Sequence, residues 1–305
     1  MAYTFSKRRV RVRKSGDTEA MADLLQKLRS FLDAKEPGLV KLLVNTFQTQ
    51  GKAITYKELR EAILAGDISV ELWQDWQQDY AKFIVEHLQP QWKEAMETAA
   101  QITANKHPGW HFDPMTDGIR EWTEQRAADF VTSVTNTQIE GLRAVIHKAA
   151  AMDFMGVDEL AKVIRPMVGL TSPAATANLN YYTKLVESGI AKEKAKDLSI
   201  RYAARQNRYR GMLIARTELC YAYNRGSYEA VKQAQEKGYM GECVKVWCTA
   251  EDERTCPTCS AMEGVEVGFD EEFDFNTKLT VPGIRLTPPL HPSCRCTMLI
   301  KEKRG

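Results

Sequence analysis

A group of cysteines and one histidine near the C-terminus constrains this 305-residue chain more than any other feature. Cys256 and Cys259 form a C-x-x-C pair, and an H-x-x-C-x-C run follows with His291, Cys294 and Cys296. A two-residue gap lets a tight turn point two thiolates at one ion, and a structural zinc ion takes four such ligands. The spacing therefore predicts one zinc site that uses four of these five residues.

The second half of this site has two interpretations. In an extended strand, residues two positions apart share a face, so Cys294 and Cys296 would both bind the metal. Alternatively, His291 and Cys294 form a second turn and Cys296 is left over. A set of buried, reduced cysteines without a metal is the simpler explanation, but the paired spacing favours a metal site.

Two other uses of a C-x-x-C pair fit the surrounding sequence poorly. A redox pair requires a strand-to-helix context, whereas an acidic, glycine-containing stretch follows Cys259. A zinc deaminase requires an upstream H-x-E motif and a proline just before the first cysteine, but Thr255 precedes Cys256. Neither activity is expected.

Composition places the chain among ordinary globular proteins, with 44% hydrophobic and 27% charged residues. The net charge is only +2, so any contact with nucleic acid must be local. The sequence contains no apolar run of 18 residues, and we expect no membrane partner. We expect the seven cysteines to be thiols or metal ligands in a reducing cytoplasm.

A basic run lies at the start of the sequence. Residues 1–16 contain no acidic side chain, and basic runs of this kind bind anionic surfaces with release of counterions. We interpret residues 1–16 as a basic flexible arm that contacts DNA or an acidic protein; the alternative is a solvated tail. Six cations carry this prediction: Lys7, Arg8, Arg9, Arg11, Arg13 and Lys14.

The spacing of apolar residues is helical over most of the chain. The expected fold is mainly α, with multi-helix N-terminal and central regions and a small C-terminal β unit stapled by the Cys/His site. The Pro- and Gly-containing stretch at 107–114 predicts a domain boundary. The predicted parts are the arm (1–16), an N-terminal helical domain (17–115) and a second domain (116–305), which is helical over 116–240 and β with zinc over 241–305.

Prolines, glycines and alternating residues predict the ends of the elements. Pro37-Gly38 predicts a break in the first helical run, and Pro90 predicts a kink or an end in the helix that Ser69 caps. Further helices are predicted over 117–150, 157–168, from Ser172 onward, 191–202 and 208–237. Three antiparallel strands are predicted at 244–249, 264–268 and 297–301.

Two charged residues interrupt an apolar helical segment. Arg216 and Glu218 have no oppositely charged neighbour three or four positions away, so each requires a partner from another element. We expect structural charge pairs; the alternative is a catalytic Glu218 beside His291. The candidate partners are Asp252, Arg254 and Arg295.

Several of these residues occur in the order of one family's motifs, from about Asp117 to the C-terminus. The motifs are Ala215-Arg-Thr-Glu218, Asn224-x-Gly226, Trp247, Asp252-x-Arg254-Thr-Cys256-x-x-Cys259, Gly264 and Pro289-x-His291-Pro-x-Cys294-Arg-Cys296. By these motifs this part of the chain resembles the Mu F-like domain of tailed-phage minor head proteins, also called phage head morphogenesis proteins. The N-terminal helices show no such resemblance.

The resemblance implies a minor capsid protein that associates with the portal and takes part in capsid assembly and in DNA packaging and ejection. It implies the portal protein and other capsid or scaffold proteins as partners, with packaged DNA as a further candidate. The implied location is the capsid interior or portal vertex of the virion, and the host cytoplasm during assembly. The resemblance implies no enzymatic activity.

Two other function classes compete with this one. The first is a zinc-stapled nucleic-acid-binding module that acts outside a virion. The second is a metal-dependent hydrolase that uses Glu218 and His291. A hydrolase needs an open coordination position and a cluster of acids in a cleft, whereas the sequence shows one Cys-rich site. We therefore expect a non-enzymatic minor head protein with structural zinc.

Overall fold

The structure is a computed structural model that describes residues 15–150, 156–250, 252–275 and 286–303. Helices dominate it, and a small three-stranded sheet lies near the C-terminus, so the mainly α expectation is confirmed. The predicted basic arm, with Lys7 to Lys14, lies outside the described residues. The helices are α1 (Ser15–Ala53), α2 (Tyr56–Ala65), α3 (Val70–Phe83), α4 (Gln89–Lys106), α5 (Asp117–Ala150), α6 (Val157–Ile164), α7 (Ser172–Glu187), α8 (Lys192–Glu236) and α9 (Pro257–Met262).

The first helix continues through Pro37 and Gly38, so the predicted break at that position is wrong. A proline removes one backbone hydrogen bond from a helix and usually bends or ends it. Here apolar side chains are buried on both sides of the proline, including Leu32 and Leu39. Each such burial contributes about 1.5–3 kcal/mol, which together outweighs one lost hydrogen bond.

Pro90 does not end the helical backbone, because α4 continues through it; the predicted kink stays a prediction. The α3 helix ends at Phe83, a π-helical turn covers Ile84–Leu88, and α4 begins at Gln89. In this turn the Gln89 N–H bonds the carbonyl of Ile84, five residues back. The wider turn ends at Leu88, two residues before Pro90, which has no N–H to donate.

Residues 192–236 form the single helix α8, so the prediction of two helices there is wrong. The predicted gap at residues 203–207 contains no glycine or proline. Asn207, which would favour a helix end, instead donates a hydrogen bond from its side chain to the carbonyl of Val168 (3.0 Å). The bounds predicted for α5 are confirmed, and Gly238 ends α8 with a φ of 75°.

No helix in the described residues is both long enough and apolar enough to cross a membrane.

Contacts along the chain define two compact units. The helical unit contains Gly38–Gln89 and Glu121–Met212, and the mixed unit contains the described residues of Met1–Pro37, Pro90–Arg120 and Leu213–Gly305. Both are discontinuous in sequence, whereas the predicted domains are continuous segments. The predicted division at residue 115 stays a prediction about sequence segments.

The helical unit has a large aliphatic core, and one glycine shows how tightly it packs. A Cβ atom on Gly141 of α5 would lie 2.2 Å from the carbonyl oxygen of Leu170. Gly141 therefore permits a close backbone approach, and its low helix propensity is the cost of that approach. The members of this core include Trp76, Ile139, Leu142, Ile146, Leu160, Ile164, Met167, Leu179 and Tyr182.

The mixed unit contains the sheet, and the three predicted antiparallel strands are confirmed. The strands are β1 (Cys243–Cys248), β2 (Glu266–Gly268) and β3 (Thr297–Glu302), in the order β2-β1-β3. Trp247 of β1 is fully buried, with its ring edge-on to Phe273 and Phe275 at centroid distances of 5.1 and 4.9 Å. This aromatic cluster packs directly against the Cys/His residues.

Candidate metal centre

The C-x-x-C half of the site is the first turn of the short helix α9. Cys256 is the N-cap of this helix in an extended backbone conformation, and its sulfur accepts a hydrogen bond from the Cys259 N–H (3.3 Å). Pro257 follows at the start of the helix, where its missing N–H costs nothing. The turn therefore places the thiols of Cys256 and Cys259 on one side, as the C-x-x-C spacing predicts.

The other half of the site is a tight turn between His291 and Cys294. The Cys294 N–H donates to the His291 carbonyl (3.1 Å), and Ser293 lies in the left-handed region with a φ of 63°. Because the Pro292 carbonyl can only accept, His291 donates its Nδ1–H to it (3.0 Å). This bond leaves Nε2, which faces the thiols, free to bind a metal.

All five predicted ligands meet in two overlapping groups. One group contains Cys256, Cys259 and His291, and the other contains Cys259, Cys294 and Cys296; within each group the ligand atoms lie within 4.8 Å of one another. His291 Nε2 lies 3.1 Å from the Cys256 sulfur and 3.4 Å from the Cys259 sulfur, which lies 3.8 Å from the Cys294 sulfur. Cys259 is the residue that the two groups share.

These separations fit a tetrahedral zinc ion. With Zn–S distances of about 2.3 Å and Zn–N distances of about 2.0 Å, two thiolates are about 3.8 Å apart and a thiolate and an imidazole are about 3.6 Å apart. The Cys259–Cys294 separation of 3.8 Å matches the first value, and the His291 separations lie slightly below the second. The donor set of sulfur and imidazole nitrogen is also the one that zinc prefers.

Ionisation of the thiols is unequal across the site. Hydrogen bonds from the thiols of Cys259 and Cys296 hold the pKa of Cys294 well below its usual range. Burial opposes ionisation of Cys256, but the Cys259 N–H and the His291 ring outweigh it and lower the pKa of that thiol. Metal ligation requires thiolates, so Cys256 and Cys294 are the two sites at which a cation displaces a proton most easily.

The middle of α8 holds the His291–Cys294 turn in place. Thr217 accepts the Ser293 N–H on its hydroxyl oxygen (2.9 Å), and Arg216 donates to the Ser293 hydroxyl (3.2 Å). Arg216 also makes a bidentate ion pair with Glu36 of α1 (2.8 and 2.9 Å). The A-R-T segment of the family motif therefore supports the second half of the metal site from outside.

Two turns further along α8, Asn224 holds the other end of the same loop. Its amide nitrogen donates to the Cys296 carbonyl (3.2 Å), and its amide oxygen accepts from the Thr297 hydroxyl (2.8 Å). A Cβ on Gly226 would lie 2.3 Å from the Cα of Met96, so only glycine fits there. The N-x-G segment thus combines a loop support with a close helix contact.

An ion pair joins the two halves of the site. Arg295, between the last two cysteines, donates to the carboxylate of Asp252 (2.7 Å), which begins the turn before Cys256. Hydrogen bonding from Arg295 holds the pKa of Asp252 below its usual range. The Asp252 carboxylate also accepts the Arg254 N–H (3.1 Å). A tie between the two loops therefore exists apart from any metal.

The predicted charge candidates have different surroundings. Arg216 pairs with Glu36 rather than with an acid of the C-terminal β unit, because α1 lies on that side of the helix. Arg254 is exposed and pairs with Glu253 at 3.8 Å. Glu218 is buried, with 3% of its surface exposed. The sequence showed that Arg216 needs an external partner, but not that Glu36 supplies it.

A buried lysine in the same unit was missed by sequence reasoning. Lys245 of β1 donates to the carbonyls of Glu271 and Leu286 (2.9 and 2.8 Å), and its ammonium group faces the rings of Tyr228 and Phe273. Burial lowers the pKa of Lys245 to about 8. In the sequence it occupied an ordinary polar position of an alternating strand, which gave no signal of this role.

The comparison with known families agrees with the ordered motifs. Residues 155–299 match the model of the family described as Phage Mu protein F like protein. This part of the chain is similar to the Mu F-like family. The matched region holds the whole Cys/His cluster, and the match supports a Mu F-like head morphogenesis protein. Neither a curated protein nor a solved structure matches the chain.

The family match covers a shorter range of residues than the resemblance seen in the sequence, which began at about Asp117. The matched region begins at residue 155 and ends at residue 299, within the last strand. Within it, the structure brings together the five cysteine and histidine residues that the sequence predicted as candidate ligands, whereas sequence reasoning missed the supporting roles of Thr217, Asn224 and Ser293. The ordered A-R-T-E and N-x-G motifs contain Thr217 and Asn224 and were the signal that could have pointed to these two residues.

Proposed function

We propose that this protein is a minor head protein of a tailed phage or prophage, associated with the portal vertex, that acts in capsid assembly and in DNA packaging and ejection. The observation that carries the proposal is the Mu F-like match, and three α8 residues inside the matched region, Arg216, Thr217 and Asn224, support one Cys/His loop. The partners would be the portal protein and other capsid or scaffold proteins. The location would be the capsid interior or portal vertex.

We further propose that the Cys/His cluster binds one structural zinc ion. Four ligands would come from Cys256, Cys259, His291, Cys294 and Cys296, and both close groups contain Cys259. When bound, zinc would tie the α9 turn to the 291–296 loop by four coordinate bonds. Thr217, Asn224 and Arg295 would hold the ligands in place from outside, as supporting residues do at such sites.

Elemental analysis after purification under reducing, zinc-replete conditions tests the metal. We expect about one zinc per chain, and less than about 0.2 would contradict the proposal. Single variants identify the ligands: Cys259→Ser should lose zinc, whereas among Cys256→Ser, His291→Ala, Cys294→Ser and Cys296→Ser the variant of the non-ligand should keep it.

The role in the head is tested in the phage itself. A phage that lacks the gene is complemented with a gene for the wild-type chain or for a chain without residues 1–14. The portal vertex of the resulting particles is then imaged by cryo-electron microscopy. Extra density at the vertex that appears only with the wild-type gene supports the proposal. Normal, infectious heads without the protein would contradict it.

The deletion of residues 1–14 also tests the predicted arm. The deletion should weaken the salt dependence of binding to duplex DNA if the six cations contact six phosphates. The negative log–log slope would then become smaller in magnitude by about 5. The six cations are Lys7, Arg8, Arg9, Arg11, Arg13 and Lys14. If the deletion lowers incorporation into particles but leaves the salt dependence of DNA binding unchanged, the arm contacts a protein instead. If both measurements are unchanged, the arm has no binding role.

A structural rather than a catalytic role is part of the proposal. Glu218, the candidate for catalysis, is buried on a helix whose neighbouring residues Arg216 and Thr217 hold a loop. We therefore expect Glu218→Gln to lower the free energy of unfolding by roughly 1–4 kcal/mol. An unchanged melting temperature with loss of a head-linked activity would favour catalysis.

A further inference from the structure

A basic, exposed face of α8 lies within the helical unit and has no part in the metal centre. Residues 198–217 contain no acidic side chain. Arg201, Arg205 and Arg208 are all exposed in this stretch. We refer to these three arginines as the α8 stripe.

The spacing of the stripe places the three guanidinium groups together. Arg201 and Arg205 are four residues apart, and Arg205 and Arg208 are three apart, so they follow one another along one helix face over about 10 Å. The buried positions Ala203, Asn207 and Arg210 lie on the opposite side. Like charges at these separations repel and weaken a helix, so the arrangement brings the fold itself no benefit.

No carboxylate in the described part of the chain lies within 4.0 Å of a stripe arginine, although other exposed cations of the helical unit are paired. Lys57 lies 3.9 Å from Glu61, and Lys82 lies 3.8 Å from Glu86, each one turn away on its own helix. Four residues before and after each stripe arginine, the helix carries arginine, alanine, tyrosine or methionine. The one exception is Asp197, one turn before Arg201.

Tyrosines hold part of the stripe in a fixed position. The guanidinium of Arg205 lies over the ring of Tyr202 at 5.7 Å, and Tyr202 is packed edge-on against Tyr181 of α7 at 5.2 Å. Tyr209 is 60% exposed beside the stripe. A stacked guanidinium loses less freedom when it binds a ligand, so Arg205 is pre-oriented toward solvent.

We propose that the α8 stripe binds the phosphate backbone of duplex DNA. Planar guanidinium groups bind phosphate oxygens with two hydrogen bonds, and three of them in line match a run of phosphates along a strand. A protein partner would need a matching row of acidic side chains, whereas every DNA duplex carries evenly spaced phosphates along its backbone. The contact would be independent of base sequence, since it reads the backbone.

This inference extends the proposed function, because a head protein that handles packaged DNA needs a surface for it. It does not depend on the N-terminal arm, which carries different residues. DNA binding and incorporation into heads are measured separately, so a failure of one does not imply a failure of the other.

The test is the triple variant Arg201→Gln, Arg205→Gln and Arg208→Gln in the full chain, with zinc present. Binding to a fluorescent, random-sequence duplex is measured from about 50 to 200 mM salt. Each lost phosphate contact reduces the magnitude of the negative log–log slope by about 0.9. We therefore expect the slope of the triple variant to be less negative by between about 2 and 3, and its affinity at low salt to be lower on the order of 10-fold.

A matched control removes the same charge elsewhere in the helical unit. Lys57→Gln, Arg60→Gln and Lys82→Gln change three exposed cations that are paired with acids. Circular dichroism and thermal melts establish that both triple variants fold. If the stripe variant keeps the wild-type affinity and slope, or if the control loses as much, the proposal is wrong. Loss of head incorporation with unchanged DNA binding would also overturn it, in favour of an acidic protein partner.

Discussion

The helical unit and the C-terminal part of the mixed unit are stabilised in different ways. The helical unit buries a large set of aliphatic side chains from several helices in one core. Residues 241–303, here called the terminal module, bury a small cluster that consists mainly of Trp247, Phe273, Phe275, Leu290 and cysteines. Small cores rarely stabilise a domain alone, and natural modules of this size add disulfides or a metal.

Polar contacts make up part of the difference. In the terminal module, Lys245, Asp252, Arg295 and the Cys/His turn are each tied to neighbouring elements by hydrogen bonds or ion pairs. The comparison teaches that one chain uses two solutions: apolar burial where many helices meet, and directed bonds where the chain is mostly loop. Perturbations of the two regions should therefore have different effects.

The largest expected effect separates the two regions directly. Cys259→Ser, or removal of zinc by a chelator, should destabilise the terminal module by on the order of 5 kcal/mol or more, because structural zinc sites contribute strongly to folding. Hydrogen exchange should show loss of protection in β1 and β3, while amides of α5 and α7 keep theirs.

Cys243→Ser is the matched control for this change. Cys243 is buried in the same module but lies outside the cluster, and its thiol already faces a carbonyl oxygen, that of Gly241 (3.4 Å). It should keep zinc and most of the protection. Equal loss of protection in Cys259→Ser and Cys243→Ser would show that the effect is not specific to the Cys/His cluster. Loss of protection in α5 and α7 as well would show that the two regions are not stabilised separately.

The same contrast explains what the sequence could predict. Repeating apolar spacing in the helical unit was sufficient to predict α5 to its ends, because burial there depends on periodicity alone. The breaks at Pro37 and at residues 203–207 were predicted wrongly because local signals were outweighed by burial along each helix. Sequence position alone does not show how much apolar surface lies on each side of a proline.

In the terminal module, the five clustered ligands were predicted because their chemistry is concentrated in short motifs. Their supports were not, because Glu36, Thr217 and Asn224 lie far away in the sequence and reach the site only through the fold. The same holds for Lys245, whose partners are backbone carbonyls. A carbonyl has no signature in an amino-acid sequence.

A glycine pair sharpens the comparison within the helical unit. Gly141→Ala should cost about 3 kcal/mol, because its Cβ would lie 2.2 Å from the Leu170 carbonyl oxygen and the packed helix cannot move away cheaply. Gly38→Ala in α1 has nothing within 4 Å and should be neutral or stabilising by up to about 1 kcal/mol. Denaturant melts measure both, and an equal effect of the two changes would contradict this account of the core.

A smaller effect is expected from the support on α8. Arg216→Gln removes the pair with Glu36 and the bond to Ser293, and should lower the free energy of unfolding by about 2 kcal/mol because the pair is only partly exposed. Zinc should also exchange faster, since the His291–Cys294 turn loses a contact. Lys27→Gln, which breaks an exposed pair with Asp23, is the control and should have little effect. Unchanged stability and zinc exchange in Arg216→Gln would refute the supporting role.

The smallest expected effect concerns the ion pair that joins the two halves of the metal site. Asp252→Asn should lower stability by about 1 kcal/mol, whereas Glu253→Gln, at an exposed pair of 3.8 Å, should cause no measurable change. Because Arg295 depresses the folded-state pKa of Asp252, its contribution is present above the unfolded pKa of about 3.9 and is lost only as the pH falls through the lower folded value. The difference between wild type and Asp252→Asn should therefore be equal at pH 7 and pH 5 in urea melts. A difference that shrinks between these two values would assign the effect to another titrating group. His291 is the first candidate: burial lowers its pKa, but Cys294, the Pro292 carbonyl and Cys256 together outweigh burial and raise it.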